Sequence, residues 1–282
     1  MKLVRFGPKG SEKPGLVDAD GRIRDLSQHV PDINGETLAP DSLARLKALD
    51  PASLPLAPAG VRLGAPVSRP WSFLAIGLNY ADHAKEAGLE VPSEPVIFNK
   101  LGNTVSGPLD DVIYPKNSNR LDWEIELAFV IGKRARYVEQ KDAMDYVAGY
   151  TICNDVSERR FQMKRNGQWF KGKAAETLGP LGPWLVTPDE ISDPSNLKMS
   201  LKVNGETKQQ GSTATMIFSI PYLVSYITEF CVLEPGDVVT TGTPPGVGSV
   251  MKPPQYLVAG DVMELEIEGL GLQRQTVVPF TG

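Results

Sequence analysis

The sequence predicts an α+β fold that is mostly β. The 282 residues include 27 Gly and 24 Pro, which suit many short strands joined by defined turns. The strand patterns outnumber the helical patterns and rarely alternate with them, which argues against a doubly wound sheet. With 41% hydrophobic and 22% charged residues, the chain has the composition of an ordinary globular protein and can build a sizeable core.

The totals also exclude several classes of protein. A formal net charge of -5 and the lack of a Lys- or Arg-rich run argue against a nucleic-acid surface. No stretch approaches the roughly 20 apolar residues of a membrane span, and "MKLVRFGPKG" lacks the apolar segment of a secretory signal. Cys153 and Cys231 do not suggest a disulfide framework. We therefore expect a soluble, reduced, cytoplasmic protein.

Residues 1–68 are predicted to form a small N-terminal α/β domain, followed by a larger domain over 69–282. Asp20-Gly21 supplies a hairpin turn between "GLV" and "RIRDL", and "MKLVRF" predicts a further strand. "DSLARLKAL" predicts an amphipathic helix, and "DPASLPLAPAG" is typical of a linker. His29 has no partner nearby in sequence, which favours a surface or packing role.

The elements of the larger domain begin with the buried strand "WSFLAIG". A short helix follows in "NYADHAKEAG", where Asn79 is the predicted cap and Gly88 ends the helix. "DWEIELAFVIG" predicts a strong strand, "AMDYVAGYTICND" a helical turn and a strand, and "LKMSLKVNGETKQQG" a hairpin that turns at Asn204-Gly205. "TMIFSIPYLVSYITEFC" is the longest helical pattern, and "EPGDVVTTGTPPGVG" and "AGDVMELEIEG" each predict a turn and a strand.

Two acidic strands in this domain differ in an informative way. Alternation places Glu124 and Glu126 on one face of their strand, and both faces are apolar from Leu127 onward, so this end is predicted to be buried. In "VMELEIEG", Glu264 and Glu266 alternate in the same way, but that strand ends with its acidic face still acidic. Exposure to solvent explains the acidic face of the second strand, but it does not explain Glu124 and Glu126 in the first.

Two buried, neighbouring carboxylates repel each other and must take up protons or be neutralised by a cation. Asp155 follows the apolar run "YTIC" and offers a third carboxylate at a strand end. Three carboxylates without His or Cys would form a hard-oxygen site that suits Mg²⁺, Mn²⁺ or Ca²⁺ rather than Zn²⁺. Spacing alone leaves open that Glu124 and Glu126 belong to a half-exposed strand.

Further polar residues could complete such a site. His83 and Glu86 are three residues apart on the short helix, a spacing that lets a carboxylate orient a histidine as a base for water. The segment "QWFKGKAAETLGP" contains Lys171 and Lys173, and "SERRFQ" contains Arg159, Arg160 and Gln162. These cations and this amide could hold an anionic substrate or a developing oxyanion. Taken singly, each pattern also fits a solvated surface.

The loop "TGTPPGVG", residues 241–248, offers backbone N–H groups, that of Gly242 among them, which could hold a carboxylate. It lacks the Lys-Ser/Thr ending of a Walker loop and does not match the dinucleotide fingerprint.

Six ordered segments over about residues 70–282 resemble the fumarylacetoacetate hydrolase family: "GLNYADHAKE", "SGPLDDVIYPKNSNRLDWEIELAFVIG", "YTICNDVSERRFQ", "GQWFKGKAAETLGPLGPWLVT", "LKVNGETKQQGSTATMIFSIPYLVSY" and "LEPGDVVTTGTPPGVG". The resemblance implies a β-roll catalytic domain, a homodimer or an oligomer of dimers, and a bound Mg²⁺ or Mn²⁺. By motif position it implies Glu124, Glu126 and Asp155 as metal ligands, His83, Glu86, Lys173 and Gln162 as catalytic residues, and Thr243 and Lys100 as substrate-binding residues. Gly242 and Arg159, singled out above from the sequence itself, complete the predicted substrate-binding set.

The resemblance further implies hydrolysis of the C3–C4 bond of a small 2,4-diketo acid to pyruvate and a second carboxylic acid. The segment "SERRFQMKRNGQWFKGKAAETLGPLGPWLVT" looks similar to the 2,4-diketo-3-deoxy-L-rhamnonate and -fuconate hydrolases, whose second product would be an acid such as lactate. Acylpyruvate hydrolases and oxaloacetate decarboxylases or tautomerases share the core motifs and are alternatives. A β-rich protein that binds Ca²⁺ without catalysis is a further alternative.

Overall fold

The structure, a computed structural model, describes residues 1–281. Its helices are α1 (Pro40–Lys47), α2 (Ala81–Ala87), α3 (Arg159–Lys164), α4 (Phe170–Lys173) and α5 (Ile220–Phe230), with a longer 3-10 helix over Gln140–Tyr146. Its strands are β1 (Lys2–Phe6), β2 (Lys13–Val17), β3 (Ile23–Asp25), β4 (Leu63–Gly64), β5 (Phe73–Gly77), β6 (Val96–Lys100), β7 (Val105–Ser106), β8 (Val112–Ile113), β9 (Leu121–Asp122), β10 (Ile125–Ile131), β11 (Val147–Asn154), β12 (Ser157–Glu158), β13 (Gly179–Val186), β14 (Lys198–Val203), β15 (Glu206–Ser212), β16 (Val238–Thr240), β17 (Val262–Ile267) and β18 (Gly271–Val278).

A large mixed sheet forms the centre of the fold. Its main path runs β3-β2-β1-β13-β11-β10-β16-β5-β6, and a second sheet runs β15-β14-β17-β18-β8. The predicted α+β, mostly β class is therefore confirmed. Strand β1 pairs with β13, Lys2 opposite Val186, so the N-terminal strands extend the sheet of the larger part of the chain. The boundary near residue 68 stays a prediction.

The centre of the large sheet is covered on both faces. Every residue of β10 is buried. Ile125, Leu127 and Phe129 pack into one apolar cluster, while Ala128 and Val130 pack into another on the opposite face. The prediction of a doubly covered strand is confirmed, and it places the carboxylates that precede and begin this strand inside the protein.

Strand β17, which carries the second acidic pattern, has one face exposed to solvent, as predicted. Met263 and Leu265 are buried, whereas Glu264 is half-buried and Glu266 is exposed. The acidic face of β17 is thus an ordinary solvated face, and the similar pattern near β10 needs another explanation.

Local signals set most element ends. The hairpin between β14 and β15 turns at Asn204 and Gly205, both with positive φ, and α2 ends at Gly88 in the left-handed conformation. The predicted cap of α2 by Asn79 is wrong, because the cap residue is Tyr80 and no side chain caps the helix. Asn79 is fully buried, and its amide bonds the backbone of Phe218 and of residue 241 instead, which anchors the start of α2 to two distant loops.

No helix among residues 1–281 is long and apolar enough to cross a membrane.

Candidate active site

Three carboxylates converge where β10 begins and β11 ends. Glu124 directly precedes β10, Glu126 lies within it, and Asp155 directly follows β11. Because Ile125 pairs with Asn154 in antiparallel register, the two strand ends meet and bring the side chains together. One oxygen from each carboxylate lies within 4.8 Å of the others, and the residues are 6%, 2% and 0% exposed in chain order.

Buried cations surround two of these carboxylates. Lys173 Nζ lies 2.6 Å from Glu124 Oε2 and 2.6 Å from Asp155 Oδ2, and Arg159 Nη2 lies 2.6 Å from Glu124 Oε1. Lys100 Nζ lies 2.6 Å from Asp155 Oδ1. Burial would raise the pKa of Glu124, but the charges of Arg159 and Lys173 outweigh it and hold that pKa well below its usual range.

Glu126 lacks such a partner. Among the described residues, no Lys, Arg or His nitrogen lies within 4.0 Å of its carboxylate, which accepts the Gly242 N–H at 2.9 Å. Burial, together with the charges of Asp155 and Glu124, raises its pKa well above the usual range. A buried carboxylate with two acidic neighbours and no cation fits a site that takes up a positive ion.

The charge count of this centre fits a divalent cation and an anionic ligand. With Asp122, which binds Arg159 Nε at 2.7 Å, the centre holds four carboxylates: Asp122, Glu124, Glu126 and Asp155. Three cations, Lys100, Arg159 and Lys173, oppose them. With all four carboxylates ionised, as ligation of a metal by Glu126 requires, a divalent ion would turn the net charge from minus one to plus one. A single substrate carboxylate would then neutralise the centre.

His83 and Glu86 form a dyad on α2. His83 Nδ1 lies 3.3 Å from Glu86 Oε2, and the Gly246 N–H donates to the same carboxylate at 3.0 Å. Gly246 has φ of +103°, and a Cβ there would lie 1.9 Å from the Lys208 carbonyl oxygen, so this loop position requires glycine. Because Glu86 accepts from Nδ1, the neutral His83 ring keeps Nε2 free to accept a proton.

The orientation of Gln162 follows from its neighbour. Arg159 Nη1 donates to Gln162 Oε1 at 3.1 Å. Arginine has only donors, so the amide oxygen must face it and the amide NH₂ is left to serve as a donor. Gln162 is 3% exposed and lines the same cavity as Lys173. The chain thus presents two donors, an ammonium and an amide, to one space.

A cavity of about 380 Å³ collects these groups, a size suited to a small metabolite. Seven of the predicted site residues line it: His83, Glu124, Glu126, Arg159, Gln162, Lys173 and Thr243. Apolar side chains such as Ile76, Phe98 and Trp169 complete its inner walls. A base, a group of carboxylates and hydrogen-bond donors therefore face one small volume.

Comparison with known proteins identifies the family to which the chain belongs. A family model for the C-terminal domain of fumarylacetoacetate hydrolase matches residues 72–278. The chain belongs to the fumarylacetoacetate hydrolase family. A Burkholderia multivorans protein with the provisional name of hydrolase is 56% identical over 276 residues, 98% of each chain.

Two solved structures of the family match nearly the whole length. The fumarylacetoacetate hydrolase of Exiguobacterium antarcticum is 35% identical with a TM-score of 0.89, covering 99% of this chain and 100% of that one. The maleylpyruvate hydrolase of a Sphingobium species, in complex with manganese(II) and pyruvate, is 29% identical with a TM-score of 0.82, covering 100% of both chains.

Two predicted residues of this fumarylacetoacetate hydrolase family member, Gly242 and Lys100, contact the carboxylates from outside the cavity lining. The Gly242 N–H holds Glu126, and fully buried Lys100 donates to Asp155 and to the Lys173 carbonyl oxygen at 2.9 Å. Neither residue lines the cavity. Thr243 does, although its hydroxyl already donates to the Ile125 carbonyl oxygen at 2.8 Å. Direct substrate contact by these residues stays a prediction.

Sequence reasoning missed Asp122 and Glu158. Asp122 is fully buried and accepts the N–H groups of Gly248 and Ser249, which ties the loop after "TGTPP" to Arg159. Glu158 caps α3 through the Phe161 N–H. Asp122 is the first residue of the predicted strand "DWEIELAFVIG", which was an available signal, whereas the partners of Glu158 depend on tertiary folding.

Proposed function

We propose that the chain hydrolyses the C3–C4 bond of a small 2,4-diketo acid, with Mg²⁺ or Mn²⁺ bound by Glu124, Glu126 and Asp155. The observation that carries the proposal is that His83, Lys173 and Gln162 line the same cavity as Glu124 and Glu126. Glu86 lies behind His83 and contacts its Nδ1. A water-activating base and oxyanion donors are the groups that hydrolysis of a carbon–carbon bond beside a ketone requires.

In this mechanism His83 Nε2 takes a proton from water while Glu86 holds the ring through Nδ1. The water oxygen forms a bond to C4, and Lys173 and Gln162 donate to the oxygen that becomes negative there. The negative oxygen on C4 then re-forms a carbonyl bond as the C3–C4 bond breaks, and the electron pair of that bond remains with the pyruvate fragment. C3 takes up the proton that His83 Nε2 received from water, which leaves pyruvate, the second carboxylic acid and a neutral His83. A divalent cation held by the three carboxylates would supply positive charge that stabilises this fragment.

Two further findings support the proposal. The maleylpyruvate hydrolase neighbour was solved with manganese(II) and pyruvate, the metal and the product fragment that the mechanism uses. For the rest of the substrate, the motif resemblance favours 2,4-diketo-3-deoxy-L-rhamnonate or -fuconate, with other acylpyruvates as alternatives. A panel of these acids and oxaloacetate, assayed for pyruvate release with Mg²⁺ or Mn²⁺, tests the substrate class.

The His83→Ala variant tests the proposed reaction. We expect it to bind Mn²⁺ like the wild type in calorimetry and to lose about 10²–10⁴-fold in kcat for pyruvate release from a diketo acid, because it lacks the general base. His29→Ala is the matched control, since His29 is exposed and lies outside the cavity.

Normal hydrolysis by His83→Ala would reject the role of this base. If the wild type released pyruvate only from oxaloacetate, and the variant did so equally well, decarboxylation would replace hydrolysis, because decarboxylation needs no attacking water. If Ca²⁺ stabilised the protein and no acid were cleaved, a structural metal site would replace the enzyme.

A further inference from the structure

A second cavity, of about 470 Å³, shares no lining residue with the catalytic one. Part of its lining comes from residues 5–69 and the rest from residues 102–110. These two parts are in close contact, because Arg62 Nε donates to Asp110 at 2.7 Å and a Cβ at Gly107 would lie 2.4 Å from the Leu63 carbonyl oxygen. The fold itself therefore forms this cavity, and its volume suits a small metabolite.

The carboxylates of the second cavity are already paired with arginines. Asp32 accepts from Arg5 Nε at 2.6 Å, and Glu12 accepts from Arg62 Nη1 at 3.0 Å. Burial would raise the pKa of Asp110, but hydrogen bonds from Arg62 outweigh it and hold that pKa below its usual value. These two arginines and three carboxylates together carry a net charge of minus one.

Two further cations of the lining have no carboxylate partner. Lys9 and Arg69 are exposed, and within residues 1–281 neither has a carboxylate oxygen within 4.0 Å of its side-chain nitrogens. With them the net charge of the lining becomes plus one. Arg69 has φ of +40°, although it is not glycine and precedes Pro70, which favours extended backbone. The fold therefore holds an unpaired cation at this cavity in a backbone conformation that is unfavourable by itself.

Polar groups of the lining have hydrogen-bonding capacity left. Ser106, at the end of β7, is 4% exposed, and its buried Oγ has no hydrogen-bond partner in the part of the chain that the structure describes. Glu12 Oε1 and Asp110 Oδ1 each accept one hydrogen bond from Arg62, and a carboxylate oxygen can accept two. The cavity thus fits a ligand that carries hydroxyl groups as well as a charge.

We propose that the second cavity binds a hydroxylated monocarboxylate. The carboxylate of this ligand pairs with Arg69 and Lys9 and neutralises the lining. Its hydroxyl groups bond Ser106 and donate to the carboxylate oxygens of Glu12 and Asp110. A phosphate dianion would leave the site negative, an unsubstituted acid would leave these polar groups unpaired, and an uncharged polyol would not use the two cations. The proposal goes beyond the proposed function, because the catalytic cavity has no part in this site.

Four probes separate these requirements. Gluconate carries a carboxylate and hydroxyl groups, hexanoate only the carboxylate, sorbitol only the hydroxyl groups, and glucose 6-phosphate a dianion with hydroxyl groups. We expect the full-length protein to bind gluconate in calorimetry at least about tenfold more tightly than each of the others, as one charge-assisted contact gives. The Glu126→Gln variant, which changes only the catalytic cavity, should bind gluconate like the wild type.

Variants of the lining test the assignment of residues. The Arg69→Gln/Lys9→Gln variant should weaken gluconate binding by at least about tenfold. Arg45→Gln/Lys141→Gln is the matched control, because it removes the same two charges from exposed positions outside both cavities. Ser106→Ala should weaken gluconate binding without lowering the thermal stability of the ligand-free protein, because no hydrogen bond within residues 1–281 is lost.

Several outcomes would overturn the proposal. These are no gluconate binding by the wild type, equal or tighter binding of any other probe, and full gluconate affinity in Arg69→Gln/Lys9→Gln. Loss of gluconate binding in Glu126→Gln would also overturn it, since the acid would then occupy the catalytic cavity. None of these results depends on pyruvate release, so the proposal and the proposed function can fail separately.

Discussion

Replacing Glu126 with glutamine is expected to weaken Mn²⁺ binding by at least about 100-fold and to abolish pyruvate release, without destabilising the metal-free protein. The affinity falls because a charged ligand is lost, and even residues that only support a ligand typically contribute 10–100-fold. The metal-free fold survives because this carboxylate is buried beside Asp155 and Glu124 and binds no cationic side chain among the described residues. Calorimetric titration with Mn²⁺ and thermal unfolding with and without the metal measure both effects.

Glu124→Gln gives the contrasting result. This variant should also lose metal binding. Because Arg159 and Lys173 each lose one buried carboxylate partner, we expect the metal-free protein to be destabilised by about 3–5 kcal/mol. Glu264→Gln on the solvated face of β17 is the control and should change neither property. Full Mn²⁺ affinity in Glu126→Gln, or equal loss of metal-free stability in the two variants, would contradict this assignment of charges.

Replacing Lys173 with methionine is expected to lower kcat for pyruvate release by about 10²–10³-fold, since a buried donor to the developing oxyanion is removed. The protein should still fold, because Glu124 keeps Arg159 and Asp155 keeps Lys100 as a partner. Mn²⁺ affinity should be retained, which calorimetry checks beside the steady-state assay.

Lys171→Met is the matched control for Lys173. Lys171 is exposed on the same short helix, and its one side-chain hydrogen bond within residues 1–281 goes to the Arg165 carbonyl oxygen, at 3.0 Å. We expect this variant to turn over normally. If the Lys173→Met variant kept its kcat, Lys173 would have no part in the mechanism. If the variant lost both kcat and Mn²⁺ affinity, Lys173 would support the metal site rather than the oxyanion.

The sequence predicted the features that depend on local periodicity. The apolar run after Glu126 on both strand faces correctly indicated a buried acidic pair, and the polar face of β17 correctly indicated solvent. The position of Asp155 beside this pair could not be predicted, because it depends on the register between β10 and β11, which is a tertiary property.

Contacts between distant residues were not predictable from one sequence. Glu86 reaches Gly246, and Lys100 reaches Asp155, over separations that no local pattern reports. Asn79 fits the pattern of a helix cap, but its buried side chain donates to the backbone carbonyl oxygens of Phe218 and Thr241. These tertiary hydrogen bonds replace the local capping hydrogen bond that the sequence predicted. The sequence therefore supplied candidate residues, seven of which line one cavity, but not the contacts that hold them there.

Diffraction from crystals grown with Mn²⁺ tests the central claim most directly. We predict one anomalous peak between the carboxylates of Glu124, Glu126 and Asp155, with an oxygen of each within coordination distance, about 2.0–2.4 Å. No peak at this position in crystals of metal-dependent, active enzyme, or carboxylates turned away from a peak located elsewhere, would contradict the account.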